Sequence, residues 1–286
     1  MRSPKVGASR TATRIARMLL APFRLIARIA VRFHAERCMQ TAAALSFTTL
    51  IGLVPMIVVG AVLIENLPFG IKLGAALERF LLSTLLPEKA GAVIAKYLGQ
   101  FANRAERVTW IGLGVLAVTA LMQMLTIEHA FNAIWRVKAA RPMWRRLAMH
   151  LVALFVGPLV FGGALAGVTY LAGLSFGLFE NARWMRAVFA QGLPVAFLAA
   201  LFALLYWAVP NRPVRRRHAG LAGVLAALAF VGMQHLFALY VVKFPTYAAL
   251  YGAFAAMPIF LLWLHLSWSV ILAGALLTAE LPSARG

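Results

Sequence analysis

Between Ala248 and Ala279 the chain carries no charged side chain, and its only titratable groups there are Tyr251 and His265. Drawn as one helix, these positions would reach about 48 Å at 1.5 Å per residue, against a bilayer hydrocarbon core of ~30 Å. Pro258 interrupts the run, and a proline without its N–H kinks or ends a helix. The spacing predicts a short Gly- and Ala-rich piece before Met257, then a spanning helix from about Pro258 to Ala279. A soluble domain has no place for such a stretch, so the chain belongs in a membrane.

The rest of the sequence agrees. Hydrophobic residues make up 63% of it and the mean hydropathy is +0.84, against roughly 45–50% apolar in a soluble domain. There are 28 Lys and Arg, eight Glu and no Asp, for a net charge of +20. That balance raises nucleic acid as a partner. The cations lie between apolar segments, however, where anionic head groups and membrane orientation would put them. The expected partner is a bilayer with anionic lipids, and no nucleic acid. The single cysteine, Cys38, excludes an intrachain disulfide and a multi-cysteine metal site, which leaves it a packing role.

Six apolar segments fall near 41–64, 108–127, 147–175, 188–209, 219–242 and 248–280. The predicted fold is all-α, a polytopic bundle of about six transmembrane helices over residues 41–281, preceded by a basic amphipathic arm over 1–40. Pro55, Pro158, Pro194 and Pro258 mark expected helix kinks, which membrane helices tolerate where neighbours re-satisfy the freed carbonyls. Gly163 with Gly167, and Ala219 with Gly223 and Ala227, are small faces suited to close helix packing. In the arm, Ile15, Leu19, Ile26, Ile29 and Phe33 recur at near-helical spacing, and Arg24, Arg28 and Arg32 step along another face. Pro22 divides two short helices whose cations would meet anionic lipid. A cleavable signal peptide fits poorly, since about 40 residues precede the first long apolar run. An Arg-rich organellar presequence fits the composition better, and a membrane-surface collar is favoured over both.

The loops orient the bundle. With the N-terminus inside, nineteen Lys/Arg fall on cytoplasmic segments and nine on the opposite side, the bias that sets topology. Arg215-Arg216-Arg217 is the clearest marker, and both termini are expected in the cytoplasm. The outer loop, 65–107, holds one apolar stripe through Leu73, Leu77, Phe80, Leu81 and Leu85. A second, after Pro87, runs through Ile94, Tyr97, Leu98 and Phe101. Two amphipathic helices over the outer face would satisfy both.

Three stretches carry a resemblance. Ala44-Leu-Ser-Phe-Thr-Thr-Leu-Ile-Gly-Leu-Val-Pro55, Ile127-Glu-His-Ala-Phe-Asn-Ala-Ile-Trp135 followed by Arg141-Pro142, and Phe244-Pro-Thr-Tyr-Ala-Ala-Leu-Tyr-Gly252 leading to Pro258 resemble the YihY/BrkB family of bacterial inner-membrane proteins. The likeness covers roughly residues 36 to 280 in order. It implies a six-helix membrane protein, in a family whose members carry ribonuclease, virulence-factor or transport labels. The family commonly has Gly-Ala-Glu in the last helix. Here Gly274-Ala275 is followed by Leu276, and Glu280, one turn later on the same face, is the candidate replacement.

Polar groups at membrane depth are costly and therefore informative. Glu128 and His129 are placed at the end of the second helix, and a continued helix would put Glu128, Asn132 and Arg136 on one face at i, i+4, i+8. The plain reading is an interfacial helix end with Arg136 snorkelling to phosphate. The functional reading is a polar gate or anion-binding mouth, backed by the cations through Arg146. His265 and Ser269 share a face in the sixth segment, Gln234 and His235 sit deep in the fifth, and Gln123 and Gln191 lie in the second and fourth. For a lone intramembrane histidine, an inter-helix hydrogen bond is the more common role. His150 reads as structural.

No HExxH, Walker A loop, GxSxG elbow or GxGxxG occurs. Without Asp, and with Glu scattered among loops, the carboxylate cluster of a metal-dependent nuclease is hard to build. A non-enzymatic protein without cofactor or metal is expected, and the ribonuclease reading is disfavoured. A transporter or exporter of an anionic solute or lipid-linked species is favoured over a non-transporting envelope scaffold. Prolines match by order between helices one and four and between three and six, as an inverted repeat would have them. The unequal loops and proline depths weigh against that repeat, and nothing in the sequence sets an oligomeric state.

Overall fold

In this computed structural model the described residues are 23–65, 110–137, 141–152, 167, 183–243 and 256–281. They form seven helices and no strand. Helix α1 spans 23–35, α2 Cys38–Glu65, α3 Trp110–Ile134, α4 begins at 143 and is described to 152, α5 spans Arg183–Ala208, α6 Arg216–Lys243 and α7 Ala256–Glu280. This is a helical membrane bundle. Gly114–Ile134, Arg216–Val241 and Met257–Glu280 are long and apolar enough to cross a bilayer, and Cys38–Leu53 and Gly192–Ala208 are shorter apolar helices.

Packing runs as a series, α5 on α6, α6 on α7, α7 on α2 and α2 on α3, so α7 lies at the centre. Its faces explain why. Phe260, Trp263, Leu272, Ala275 and Leu276 are all buried, and no charge interrupts them. A close backbone approach joins α5 to α6, where a β-carbon on Gly223 would come within 2.6 Å of the Ala199 carbonyl oxygen. Ala219 and Ala227 on the same α6 face are buried, as the small-residue spacing predicts. The outward faces are apolar instead. Leu221, Leu228, Leu236 and Leu239 on α6 and Val115, Val118 and Met122 on α3 are all exposed, surface that water would penalise and lipid solvates.

Aromatic rings tie the interior together. Trp135, Phe131, Tyr206, Phe202, Phe230, Trp263 and Phe237 follow one another with ring centroids 5.0 to 6.3 Å apart. The series passes from the end of α3 through α5 and α6 to Trp263 on α7 and back to α6 at Phe237. At a depth of about 16 Å, eleven residues into α2, a polar node joins three helices. Thr49 Oγ1 accepts hydrogen bonds from Gln123 Nε2 on α3 and Trp268 Nε1 on α7, each at 3.0 Å. Gly52, one turn on, leaves room for the Gln123 side chain.

Several expectations change. Helix α3 continues seven residues past the predicted end at 127, so Glu128 and Asn132 lie within it. It stops at Ile134 because Arg136 takes a left-handed φ of 51°. Arg136 N–H then bonds to the Ala133 carbonyl and Val137 N–H to the Asn132 carbonyl, a C-terminal motif usually built on glycine. Arg136 therefore does not continue the Glu128–Asn132 face. In α1, Ile29 and Phe33 pack against the protein core, where a surface collar would have laid them on lipid, while Ile26 of the same stripe is exposed. Pro55 and Pro194 lie within α2 and α5, whereas Pro258 sits in the first turn of α7, where its missing N–H would be unpaired anyway. The predicted start of the spanning helix near Pro258 agrees with this, and residues 244–255 before it lie outside the described residues. Pro158, Gln191's side chain, Gly163, the outer-loop stripes and most of the third segment, with the inverted repeat that depends on it, lie outside the described residues.

Candidate functional site

Arginine, scarce along the helices, gathers at one end of the bundle, where α2, α4 and α6 begin and α3, α5 and α7 finish. Three of the eight glutamates are also there, and all three are engaged. Glu36, in the turn between α1 and α2, accepts from Arg32 at 2.6 Å and from Arg136 at 3.1 Å. Glu280, closing α7, holds Arg32 at 2.7 Å and Arg28 at 3.7 Å. Glu128 is 2% exposed and is met by Arg146 at 2.8 Å and His150 at 3.2 Å.

Arg32 is the hub of the first group. Its guanidinium donates to Glu36, to Glu280 and to the Ile134 carbonyl at the end of α3, so α1, α3 and α7 are fastened by one side chain. Burial alone would lower its pKa, but the bonds to Glu36 and Glu280 outweigh that and hold it above the ordinary arginine value. Helical spacing puts Arg32 on a lipid-facing stripe with Arg24 and Arg28. The structure turns it inward instead, because the carboxylates able to pair it lie on that side.

Glu128 organises the second group. His150 Nδ1 lies 2.7 Å from the Arg146 carbonyl while Nε2 faces the Glu128 carboxylate. The ring is thus held between the backbone of its own helix and the carboxylate on α3. His150 thereby links α4 to α3. Asn132, one turn along α3, reaches Glu128 at 3.4 Å and accepts from the Asn211 backbone N–H at 2.8 Å. Arg141 then donates to Asn211 Oδ1 and the Pro210 carbonyl, and Arg212 to the Trp135 carbonyl. The loop after α3 and the loop after α5 are thus cross-linked twice.

Two pockets flank the 209–215 loop. One, of about 550 Å³, is walled mainly by Trp207, Ala208, Pro210, Pro213 and Val214, with Arg141 and Arg212 at its edge. The other, of about 320 Å³, presents Arg136, Arg212, Arg215 and His218 beside Arg32 and Glu280. Among the described residues Arg212 and Arg215 have no carboxylate partner. The arrangement suits an anion. Among the described residues no group of three His, Cys, Asp or Glu side chains is placed to hold a metal.

The remaining predicted polar residues do not join this site. His129 and His235 are exposed and Gln234, His265 and Ser269 half-buried. Ser269 donates to the His265 carbonyl of its own helix at 2.8 Å, and none of these five lines either pocket. Spacing missed Arg32, Arg141, Asn211 and Arg212. The available signal was the scarcity of acid, since so few carboxylates at a basic end must each hold several arginines.

The stretch from Ile127 to Pro142 therefore supplies Glu128, Asn132 and Arg141, which bind the loops of this end together. A family model described as virulence factor BrkB matches residues 29–286. The chain belongs to the BrkB family. Among curated relatives, a UPF0761 membrane protein of Aromatoleum aromaticum is 48% identical over 252 residues, covering 88% of this chain and 62% of its own. One from Azoarcus is 49% identical over the same shares, and one from Pseudomonas aeruginosa 40% identical over 257 residues, 90% of this chain and 62% of its own. This member spans 62% of the length of the first two relatives. No solved structure matches it. With these relatives named as membrane proteins and three of its own helices long and apolar enough to cross a bilayer, this BrkB-family chain is an integral membrane protein.

Proposed function

We propose that this BrkB-family protein carries an anionic solute or lipid-linked species across the bacterial inner membrane, with the arginine-rich end as its cytoplasmic mouth. The observation that carries the reading is the 320 Å³ pocket, where Arg212 and Arg215 stand beside a Glu280 already held by Arg28 and Arg32. A cationic recess raises the local concentration of anions. The excess of Lys/Arg on this side supports a cytoplasmic location for it and for both termini. The sequence has no Walker A loop, so transport would be driven by a gradient or a partner. The same reading makes the protein non-enzymatic, with anionic lipid and not nucleic acid around it.

The test is reconstitution. Proteoliposomes holding the full chain should move a fluorescent anionic phospholipid or inorganic phosphate faster than empty vesicles, and Arg212→Glu with Arg215→Glu should slow this about tenfold or more. Folded, inserted protein that moves neither would overturn transport.

A second reading, a non-transporting scaffold, is favoured by two observations. The Thr49–Gln123–Trp268 node uses polar groups at membrane depth to join helices. Gln234, His235, His265 and Ser269, likewise, line neither pocket.

A further inference from the structure

The two pockets differ in character and share a wall. Arg212, Pro213 and Val214 line both. On one side are Trp207, Ala208 and Pro210, apolar and open; on the other are Arg136, Arg215 and His218. Arg141 keeps its charge at the edge of the apolar side, but Asn211, the Pro210 carbonyl and the Met149 sulfur already take up its N–H donors. A ligand spanning the wall would be anionic at one end and apolar at the other.

The surroundings place such a ligand at head-group level. Arg216 lies over the Trp207 ring and Arg145 over Trp144, each 5.1 Å from the ring centroid. Both tryptophans are exposed. Exposed tryptophan beside arginine is typical of the membrane–water interface.

The start of α6 supplies the electrostatic reason. Its first turn has no acid, and Arg215, Arg216 and Arg217 crowd the positive end of its dipole, where cations are unfavourable. The nearby carboxylates of Glu36, Glu128 and Glu280 are already held by Arg32, Arg136, Arg146 and Arg28. A phosphate beside Arg212 and Arg215 would relieve both the side-chain repulsion and the dipole.

We infer that this double pocket binds one anionic phospholipid, its phosphodiester against Arg212 and Arg215 and its glycerol and first methylenes against Trp207, Pro213 and Val214. The inference rests on the anionic reading above and narrows the ligand to an amphiphile. A soluble phosphate ester offers the same head-group chemistry but has nothing to place on the apolar side.

Native mass spectrometry of the full chain in a neutral maltoside detergent separates the sources. Dioctanoyl-phosphatidylglycerol should bind about tenfold or more tightly than dioctanoyl-phosphatidylcholine, and likewise more tightly than glycerol 3-phosphate. Arg212→Gln with Arg215→Gln should abolish the preference for phosphatidylglycerol. Arg215→Gln alone should halve it or more, should the double variant not fold. Trp207→Ala should weaken phosphatidylglycerol several-fold and leave glycerol 3-phosphate unchanged. Equal binding of the two lipids, or a preference that survives the arginine substitutions, overturns the inference. Glycerol 3-phosphate binding as tightly as phosphatidylglycerol overturns it in favour of a soluble anion. Selective lipid binding without flux in proteoliposomes would uphold this site and remove the transport reading.

Discussion

The hydroxyl of Tyr206 on α5 occupies the space that a β-carbon on Gly274 of α7 would need. Tyr206 is fully buried and donates to the Ile271 carbonyl at 3.1 Å, so it has no free direction in which to retreat. Gly274→Ala is therefore expected to lower stability by about 1–3 kcal/mol. Tyr206→Phe should recover part of that loss, because it removes the clashing oxygen. Thermal midpoints in detergent for the two single variants and the pair give the coupling. A midpoint unchanged in Gly274→Ala would contradict this packing.

Gly223→Ala should be more damaging still. Its new methyl meets the Ala199 carbonyl and the Ala203 nitrogen at 2.6 and 2.7 Å, and backbone atoms cannot turn aside. Gly220, one turn from it in α6, has open space around it. Gly220→Ala serves as the control, expected to be neutral or to stabilise by about 1 kcal/mol through helix propensity. Comparable loss from both would show that α5 and α6 are not in close contact.

Glu128→Gln leaves the Arg146 guanidinium with no buried countercharge. Breaking such a pair costs about 3–5 kcal/mol, so the variant should express poorly or unfold well below the parent. Replacing Glu128 and Arg146 together by Met should cost less than Glu128→Gln alone. If the double variant proves the weaker, the pair is not the source of the effect.

Much of the bundle was legible because an uncharged run long enough to span a bilayer has few alternatives. Residues 219–242 read as a helix, and α6 covers Arg216–Lys243. The end of α3 was not legible. Glu128 looks like a boundary in the sequence, yet Arg146, eighteen residues on, makes its burial tolerable, and the helix continues to Ile134. Arg32 was misjudged for the same reason, since Glu280 is 248 residues away and no periodicity relates them. Thr49 and Trp268 are unremarkable within apolar runs, and only the fold reveals that Gln123 lies between them. Charge and hydropathy predict helices well. They say little about which distant carboxylate neutralises which arginine.

Thr49→Val removes the acceptor for both Gln123 and Trp268. With no water to replace it, the loss should be about 1–2 kcal/mol, since polar contacts between membrane helices are individually modest. Thr49→Ser should restore the parent midpoint to within experimental scatter. A valine variant as stable as the parent would mean that this node contributes nothing to holding α2, α3 and α7 together.

Reporter fusions check the proposed orientation. A fusion after Arg217 should report a cytoplasmic location, and one after Lys89 the opposite side. Cleavage at Arg216 by protease added to intact spheroplasts would reverse the topology and move the cationic pockets to the outer face.

The bond from Arg32 to Glu280 also imposes an order on biogenesis. Chains are made and inserted from the N-terminus, so α1 and α2 reach the membrane long before α7 exists. Until α7 arrives, α2 lacks a neighbour on the face it will give to Trp268, and the Arg32 guanidinium lacks one of its two carboxylates. The pairing of Arg32 with Glu280 and of Thr49 with Trp268 can form only once α7 has been made, so the centre of the bundle is the last of its described parts to be joined.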